Sequence, residues 1–388
     1  MVYPRRSDNE EMIFHWATEY HILREKDFHA FYVWVDDETD KVLGVHHPGK
    51  WIENVEVLGS IVPVDMREGV TNMPLPYLRF HTEGQSFFAD ALGQFNLSSL
   101  PNLIGEISLR SKNLEVVNNG GTDGRWEGRL ANGSINLDNF TSLEERNIYY
   151  WVKIAQDHVR DDLNYREMNG KLTAMANFGR ELDNAFFNPL LNALGFGAGK
   201  RLFKNTALSR DIILHEYGHA LTHSIYGIRT SYEFRAMNEA FSDYFAATLT
   251  DNPEIGEDAM LDRPFLRNLE NDYHYDSFFK GQYFHRDGQL FGGALWRLRQ
   301  SIGAEKADAL IHEARLAGAS RISDFLRELL FIDEAKDDGN FFTASENHQA
   351  IADAFFYHGL HSRIRFQQAG QEDFTTPWFQ SSCWSGQP

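Results

Sequence analysis

Residues 211–223 read Asp-Ile-Ile-Leu-His-Glu-Tyr-Gly-His-Ala-Leu-Thr-His, and the interpretation of the whole chain starts from this stretch. The pattern HExxH lies inside an apolar run, which predicts a helix. Residues four positions apart lie on one face of a helix, so His215 and His219 can bind the same ion. Glu216 lies beside them and can accept a proton. The stretch therefore predicts a zinc site with a neighbouring general base.

Such a site needs a third protein ligand and an open position for water. Residues 236–246 read Ala-Met-Asn-Glu-Ala-Phe-Ser-Asp-Tyr-Phe-Ala, which predicts a second helix with Glu239 and Asp243 on one face. We expect Glu239 to complete a His-His-Glu site and Asp243 to accept the second ring N–H of a ligand histidine. His223 is a poor third ligand, because at about 1.5 Å per residue it lies about 12 Å along the helix axis from His215.

Composition narrows the classes of partner. The chain has 388 residues, 42% of them hydrophobic, and a formal net charge of -19. This length suits two or three modest domains or one two-lobed enzyme. The negative charge disfavours nucleic acid and an anionic membrane surface as partners. No run approaches the roughly 18 apolar residues of a membrane span. Cys383 is the single cysteine, which excludes an intramolecular disulfide and a cysteine-based zinc site.

The hydrophobic pattern changes along the chain from strands to helices. Charged residues 7–27 predict an amphipathic helix, and alternating residues 31–43 predict a β-hairpin. Short apolar segments split by Gly, Pro, Asn and Asp make residues 45–140 β-rich, and strand-like segments return at 172–196. Further helices are predicted at 207–225, 235–250, 289–300, 304–316, 322–331 and 346–358. The expected fold class is α+β.

At this point the chain resembles a known family. HExxH is followed, after nineteen intervening residues, by Glu239 within Asn-Glu-Ala-Phe-Ser-Asp. This combination resembles the thermolysin-like (gluzincin) zinc metallopeptidases, and the resemblance extends over roughly residues 145–360. Residues 285–296, His-Arg-Asp-Gly-Gln-Leu-Phe-Gly-Gly-Ala-Leu-Trp, are similar to a segment of the fungalysin-like relatives.

The resemblance implies a two-lobed zincin fold, with the HExxH helix at the cleft between a β-rich N-terminal lobe and a helical C-terminal lobe. It implies a zinc-dependent endopeptidase that hydrolyses peptide bonds through a zinc-bound water. His215, His219 and Glu239 would hold one zinc ion, and Glu216 would act as general base. His285 would stabilise the transition state.

The same resemblance assigns residues to substrate binding. Asn184 and Ala185 belong to a segment similar to the edge strand that pairs with an extended substrate. Arg267 corresponds to an arginine that holds a substrate carbonyl. Ile212 and Leu266 would line an apolar pocket, which implies cleavage before hydrophobic residues.

A calcium ion is a further expectation from the resemblance, with Asp211, Glu254 and Glu257 as its ligands. The alternative is that these three are solvated acidic residues. One position departs from the family: its transition-state tyrosine falls on Thr230, with Tyr232 close by.

The expected organisation has five parts. They are a remnant of a propeptide-like segment at 1–44, a β-rich module at 45–140, an N-terminal peptidase lobe at 141–225, a helical C-terminal lobe at 226–360 and an irregular tail at 361–388. An ordinary surface hairpin is the alternative for the first part. The family implies a secreted or extracytoplasmic zymogen, although residues 1–11 contain no apolar signal core.

Two other functions stay open at this stage. One is a catalytically silent relative that serves as a binding or adhesion module. The other is a zinc hydrolase of non-peptide bonds, because the same activated water can attack other carbonyl groups.

Overall fold

The computed structural model is an α+β protein in which most strands precede most helices. It describes residues 2–6, 12–24, 29–46, 52–82, 84–97, 103–168, 170–179, 181–337 and 345–361. The strands in these ranges are β1 (Val2–Arg6), β2 (Met12–Arg24), β3 (His29–Asp36), β4 (Val42–His46), β5 (Ile52–Ile61), β6 (Thr71–Pro74), β7 (Arg79–Thr82), β8 (Gln85–Phe88), β9 (Gln94–Leu97), β10 (Ile104–Ser108), β11 (Leu114–Asn118), β12 (Arg125–Arg129), β13 (Gly133–Asn136), β14 (Leu172–Phe178), β15 (Ala185–Asn188), β16 (Ala193–Gly197), β17 (Glu254–Ile255) and β18 (Arg267–Asn268).

The helices fall mostly in the second half, as the sequence predicts. They are α1 (Leu143–Asp157), α2 (Arg210–Tyr226), α3 (Tyr232–Thr250), α4 (Tyr275–Phe278), α5 (Phe284–Asp287), α6 (Gln289–Ile302), α7 (Ala304–Leu316), α8 (Ile322–Asp337) and α9 (His348–Tyr357). In the described part of the chain, no helix combines the length and the apolar character that crossing a membrane requires.

Two compact units divide the chain. The first comprises Met1–Leu58, Pro74–Ser108 and Arg125–Leu137, and the second comprises Gly59–Met73, Leu109–Gly124 and Asp138–Pro388. The first unit is built from strands: β1 to β4 form an antiparallel sheet in chain order, and a second sheet has the order β12-β10-β7-β8. The predicted hairpin is confirmed as β3 and β4.

The helix predicted at 7–27 is wrong. Residues Met12–Arg24 form β2, which pairs with β1 and β3, and the rest of that range lies outside the described residues. Phe14, Trp16 and Tyr20 fall on alternate positions, which is the period of a strand and not of a helix. The charged residues at both ends of the range 7–27 give the segment its helical appearance in composition.

The second unit contains the sheet on which the site depends. Its strand order is β11-β14-β16-β15, with β11, β14 and β16 parallel and β15 antiparallel at one edge. Helix α1 packs against this sheet and against α2. Its start is fixed by a capping box, in which Ser142 and Glu145 each accept the other's backbone N–H.

Candidate metal centre

Helices α2 and α3 carry the candidate site, and both begin at serine caps. The Ser209 hydroxyl accepts the Ile212 N–H, and the Ser231 hydroxyl accepts the Phe234 N–H. Every residue of α2 from Asp211 to Thr222 is buried, so this helix lies in the core of the second unit. The two helices approach closely at Gly218, where a Cβ atom would meet the Ser242 Cα at 2.8 Å.

His215, His219 and Glu239 come together in the geometry of a metal site. His215 Nε2 lies 3.4 Å from one Glu239 carboxylate oxygen, and His219 Nε2 lies 3.7 Å from the other. Ligands about 2.0–2.1 Å from a tetrahedral zinc ion are about 3.3 Å apart. One ligand atom from each residue lies within 4.8 Å of the others, and no second such group of His, Cys, Asp or Glu occurs among the described residues. The three side chains therefore fit zinc.

The next layer of contacts orients His215. Its Nδ1 lies 2.7 Å from Asp243 Oδ1, the contact expected for Asp243. Arg267 donates to both oxygens of Asp243, each at 2.6 Å. All three side chains are buried. Arg267 therefore clamps the carboxylate that orients a candidate zinc ligand. Its contact with a substrate carbonyl stays a prediction.

Sequence reasoning missed the partner of His219. The Ser242 hydroxyl lies 2.9 Å from His219 Nδ1, and Ser242 is fully buried. A signal was present, because Ser242 lies three positions from Glu239 and so near its face of α3. Both candidate histidine ligands thus have their second ring nitrogen in a hydrogen bond, which fixes the tautomer and ring orientation.

Burial and nearby charges set the protonation of the group. Burial would raise the pKa of Glu239, but His285 and His219 lower it below its ordinary range. Burial lowers the pKa of His219 to about 4, which leaves the ring neutral. Burial opposes charge on His215 too, but Asp243 outweighs it and raises the pKa of His215 to about 9. Binding of a metal ion would release this proton from His215, and the ion would then supply the positive charge beside the carboxylates.

Glu216 lies on α2 next to His215 and is fully buried. It is not one of the three residues of the metal-binding group. Its role as general base stays a prediction of the motif.

His285 comes into the same group from α5. Its Nε2 lies 3.6 Å from Glu239 Oε1, and neither ring nitrogen has a hydrogen-bond partner among the described residues. Burial lowers the pKa of His285 to about 4, so the ring is neutral and has one N–H to donate.

Asp287, two residues after His285, holds the α5 segment in place and was not identified from the sequence. Its carboxylate accepts the Gly281 N–H at 2.8 Å and the Tyr232 hydroxyl at 2.6 Å. The Tyr232 hydroxyl therefore donates its hydrogen bond to Asp287. Thr230, on which the family's transition-state tyrosine falls, is exposed just before α3.

The expected substrate-binding residues lie in three places. Ala185 begins the edge strand β15, and the carbonyl of Asn184 accepts the Gly197 N–H. Leu266 is half-buried just before β18, and Ile212 is fully buried in the first turn of α2.

The three acids expected to bind calcium do not form a metal-ligand group in the described residues. Asp211 instead accepts the backbone N–H groups of Gly256 and Glu257. Arg67 lies 3.8 Å from Glu257 and Lys204 lies 2.5 Å from the neighbouring Asp258. Cationic side chains thus supply positive charge in this acidic region.

We expect the stability of Asp211→Asn relative to wild type to increase as pH rises from about 4 to about 6. Burial raises the pKa of Asp211 from 3.8 to about 6. A group with a raised folded-state pKa contributes less stability as pH rises from about 4 to 6, because the unfolded state releases the proton in this range while the folded state keeps it. The free energy of unfolding of the variant relative to wild type should rise by up to about 3 kcal/mol from pH 4 to pH 8.

Denaturant unfolding across this pH range measures the difference. Asp276→Asn is the matched control, because Asp276 is 83% exposed. A difference between Asp211→Asn and wild type that stays constant with pH contradicts the expectation. Added calcium that stabilises wild type but not the variant would instead support a calcium site at Asp211.

Comparisons with known proteins find metalloproteases that resemble part of this chain in sequence. The chain is 26% identical to bacillolysin of Bacillus amyloliquefaciens over 208 residues, which is 48% of this chain and 39% of that protein. It is 32% identical to thermolysin of Alicyclobacillus acidocaldarius over 120 residues, which is 28% of this chain and 22% of that protein. The chain thus spans less than half the length of either relative. No family model matches it.

The fold has a solved counterpart. The precursor of protealysin, a metalloproteinase from Serratia proteamaculans, superimposes with a TM-score of 0.54 at 16% identity, over 64% of this chain and 87% of that one. This likeness is one of fold. The sequence matches support a relationship of this chain to the thermolysin-like zinc metallopeptidases over part of its length.

Proposed function

We propose that this protein is a zinc-dependent endopeptidase. The observation that carries the proposal is the buried His215, His219 and Glu239 group, with its spacings of 3.4 and 3.7 Å. When bound there, zinc polarises a carbonyl group and makes water acidic enough to react near neutral pH. The sequence similarity to bacillolysin and thermolysin supports a peptide bond as the target.

Glu216 is the general base in this proposal. It takes a proton from the attacking water and passes it to the leaving amine. Its place directly after His215 on α2 favours this role, because a general base must lie within reach of the water that the metal would hold.

His285 stabilises the oxyanion of the tetrahedral intermediate. A neutral imidazole can donate one N–H without bringing a second positive charge next to zinc. Asp287 and Tyr232 position the short helix that carries His285. A donor that is already oriented costs little reorganisation when the charge develops.

The substrate binds as an added strand. Strand β15 lies at the edge of its sheet, so Asn184 and Ala185 can pair with an extended peptide. Arg267 holds a substrate carbonyl, and Ile212 and Leu266 line an apolar pocket that favours cleavage before hydrophobic residues. Residues 141–225 and 226–360 act as two lobes on either side of the cleft, in a zincin arrangement.

We extend the proposal to the rest of the chain. Residues 1–44 act as an inhibitory prosegment of a secreted or extracytoplasmic zymogen, followed by a β-rich module at 45–140 and, at the other end, a tail at 361–388. The fold likeness to a protealysin precursor supports the prosegment. Removal of residues 1–44 should raise peptide cleavage. Equal activity before and after removal contradicts the inhibitory role.

A substrate panel with metal reversal tests the function. Casein, an internally quenched peptide library and simple esters are each incubated with the protein. We expect cleavage within peptides, its loss with 1,10-phenanthroline and its return with added zinc. Bound zinc without turnover of any peptide contradicts the endopeptidase and supports a silent binding module. Turnover of esters alone supports a hydrolase of non-peptide bonds.

A further inference from the structure

A small cavity lies in the second unit between α3, α7 and the turn of helix at 158–162. Its volume is about 20 Å³, enough for one particle the size of a water molecule. Apolar side chains form part of the wall. The polar side chains that line it are His158, Tyr244, Thr248, Asp308, His312 and Arg315. None of these six belongs to the candidate metal centre.

Arg315 brings an uncompensated positive charge to this cavity. Its side chain is 4% exposed, and no carboxylate of a described residue forms an ion pair with it. One guanidinium nitrogen donates to the Thr222 hydroxyl at 2.8 Å, and the group lies 4.7 Å from the centre of the Phe241 ring. Burial lowers the pKa of Arg315 to about 10, so it remains charged at neutral pH. A buried cation normally requires a counter-charge.

His312 adds an unused hydrogen-bond donor. It is also 4% exposed, and neither of its ring nitrogens has a hydrogen-bond partner among the described residues. Burial lowers the pKa of His312 to about 4, so the ring is neutral and carries one N–H. Buried donors of this kind almost always have an acceptor.

Asp308 does not serve as that acceptor. It accepts the hydroxyls of Tyr244 at 2.5 Å and Thr248 at 3.2 Å, and Arg299 lies 3.7 Å away. Its charge is therefore compensated by groups other than Arg315 and His312. The cavity combines a buried cation, a free N–H donor and room for one small particle.

We propose that this cavity binds a small monovalent anion of halide size, such as chloride, between Arg315 and His312. The anion supplies the counter-charge for the guanidinium and the acceptor for the imidazole N–H. A neutral water molecule could fill the space, but it would leave the charge of Arg315 uncompensated.

An anion bound in this cavity stabilises α2 at Thr222, through Arg315. The Thr222 hydroxyl that accepts from Arg315 also donates to the Gly218 carbonyl at 2.9 Å. Gly218 immediately precedes His219 and approaches Ser242 of α3 closely, since a Cβ atom at Gly218 would lie 2.8 Å from the Ser242 Cα. The anion, Arg315 and Thr222 thus form a continuous set of contacts to α2.

Thermal unfolding at constant ionic strength tests the proposal, with chloride replacing gluconate, an anion too large for the cavity. The wild-type midpoint should rise with chloride and then saturate, as mass action requires for a single site. Arg315→Met should abolish the chloride-specific rise, and His312→Phe should shift it to higher chloride concentration. Arg327→Met removes the same charge from a 67% exposed side chain and should keep the wild-type response.

A second measurement covers the case in which Arg315→Met does not fold. Crystals of the wild-type protein soaked in sodium bromide should show an anomalous peak beside Arg315 and His312. A wild-type midpoint that responds equally to chloride and gluconate overturns the proposal. A cavity that holds only water after the bromide soak overturns it as well.

Discussion

Glu216→Gln is expected to lower peptide cleavage by about 10²–10⁴-fold, the usual contribution of a positioned general base. The substitution keeps the shape of the side chain but removes the carboxylate that takes the proton. Zinc binding should be unchanged, because Glu216 is outside the group formed by His215, His219 and Glu239. Cleavage of a quenched peptide and zinc content by mass spectrometry measure the two effects separately.

Glu305→Gln is the matched control for this substitution, because Glu305 is an exposed residue of α7. It should retain both zinc and full activity. A Glu216→Gln enzyme that cleaves peptides at the wild-type rate would show that another group takes the proton. Loss of zinc from that variant would place Glu216 among the ligands instead.

Asp243→Asn should weaken zinc binding and destabilise the fold together. The amide can still accept a hydrogen bond from His215, but it no longer balances the charge of Arg267. Loss of a partner in contact with a metal ligand typically lowers metal affinity by about 10–100-fold. An unpaired buried charge costs about 3–5 kcal/mol in the free energy of unfolding. Zinc titration and denaturant unfolding measure the two losses.

Two further variants separate these effects. Arg267→Met added to Asp243→Asn removes the unpaired cation, so stability should largely recover while zinc affinity stays low. Ser242→Ala removes only the hydrogen bond to His219 and should cost about 1 kcal/mol. An Asp243→Asn protein with wild-type zinc affinity would contradict the orienting role of Asp243.

The sequence predicts the metal site better than it predicts the strands of the first unit. His215 and His219 share a face through local helix geometry, so their spacing is sufficient. The role of Glu239 depends on α3 packing against α2, which the close approach at Gly218 permits. The sequence indicates Glu239 from the shared face of Glu239 and Asp243 on a second predicted helix, and the family resemblance agrees with it. The aromatic residues of β2 alternate as in a strand, but the charged residues at both ends of the range 7–27 favour a helix when composition alone is considered.

The spacing of residues along the sequence does not predict contacts between elements that are far apart in the chain. Asp287 meets Tyr232 across 55 positions, and Arg315 meets Thr222 across 93. No local period marks such pairs, since each depends on how helices pack in the second unit. The expected calcium ligands show the same limit, because the cationic Arg67 reaches Glu257 from a distant part of the chain.

Zinc stoichiometry in wild type and in His219→Ala tests the central claim most directly. Both proteins are purified in parallel, dialysed against the same zinc buffer and measured by mass spectrometry, with the zinc ligands of wild type examined by X-ray absorption. We predict one zinc ion per wild-type chain, bound by two imidazole nitrogens and a carboxylate, and almost none in His219→Ala. Equal zinc content in the two proteins, or a wild-type ion without imidazole ligands, would contradict the account.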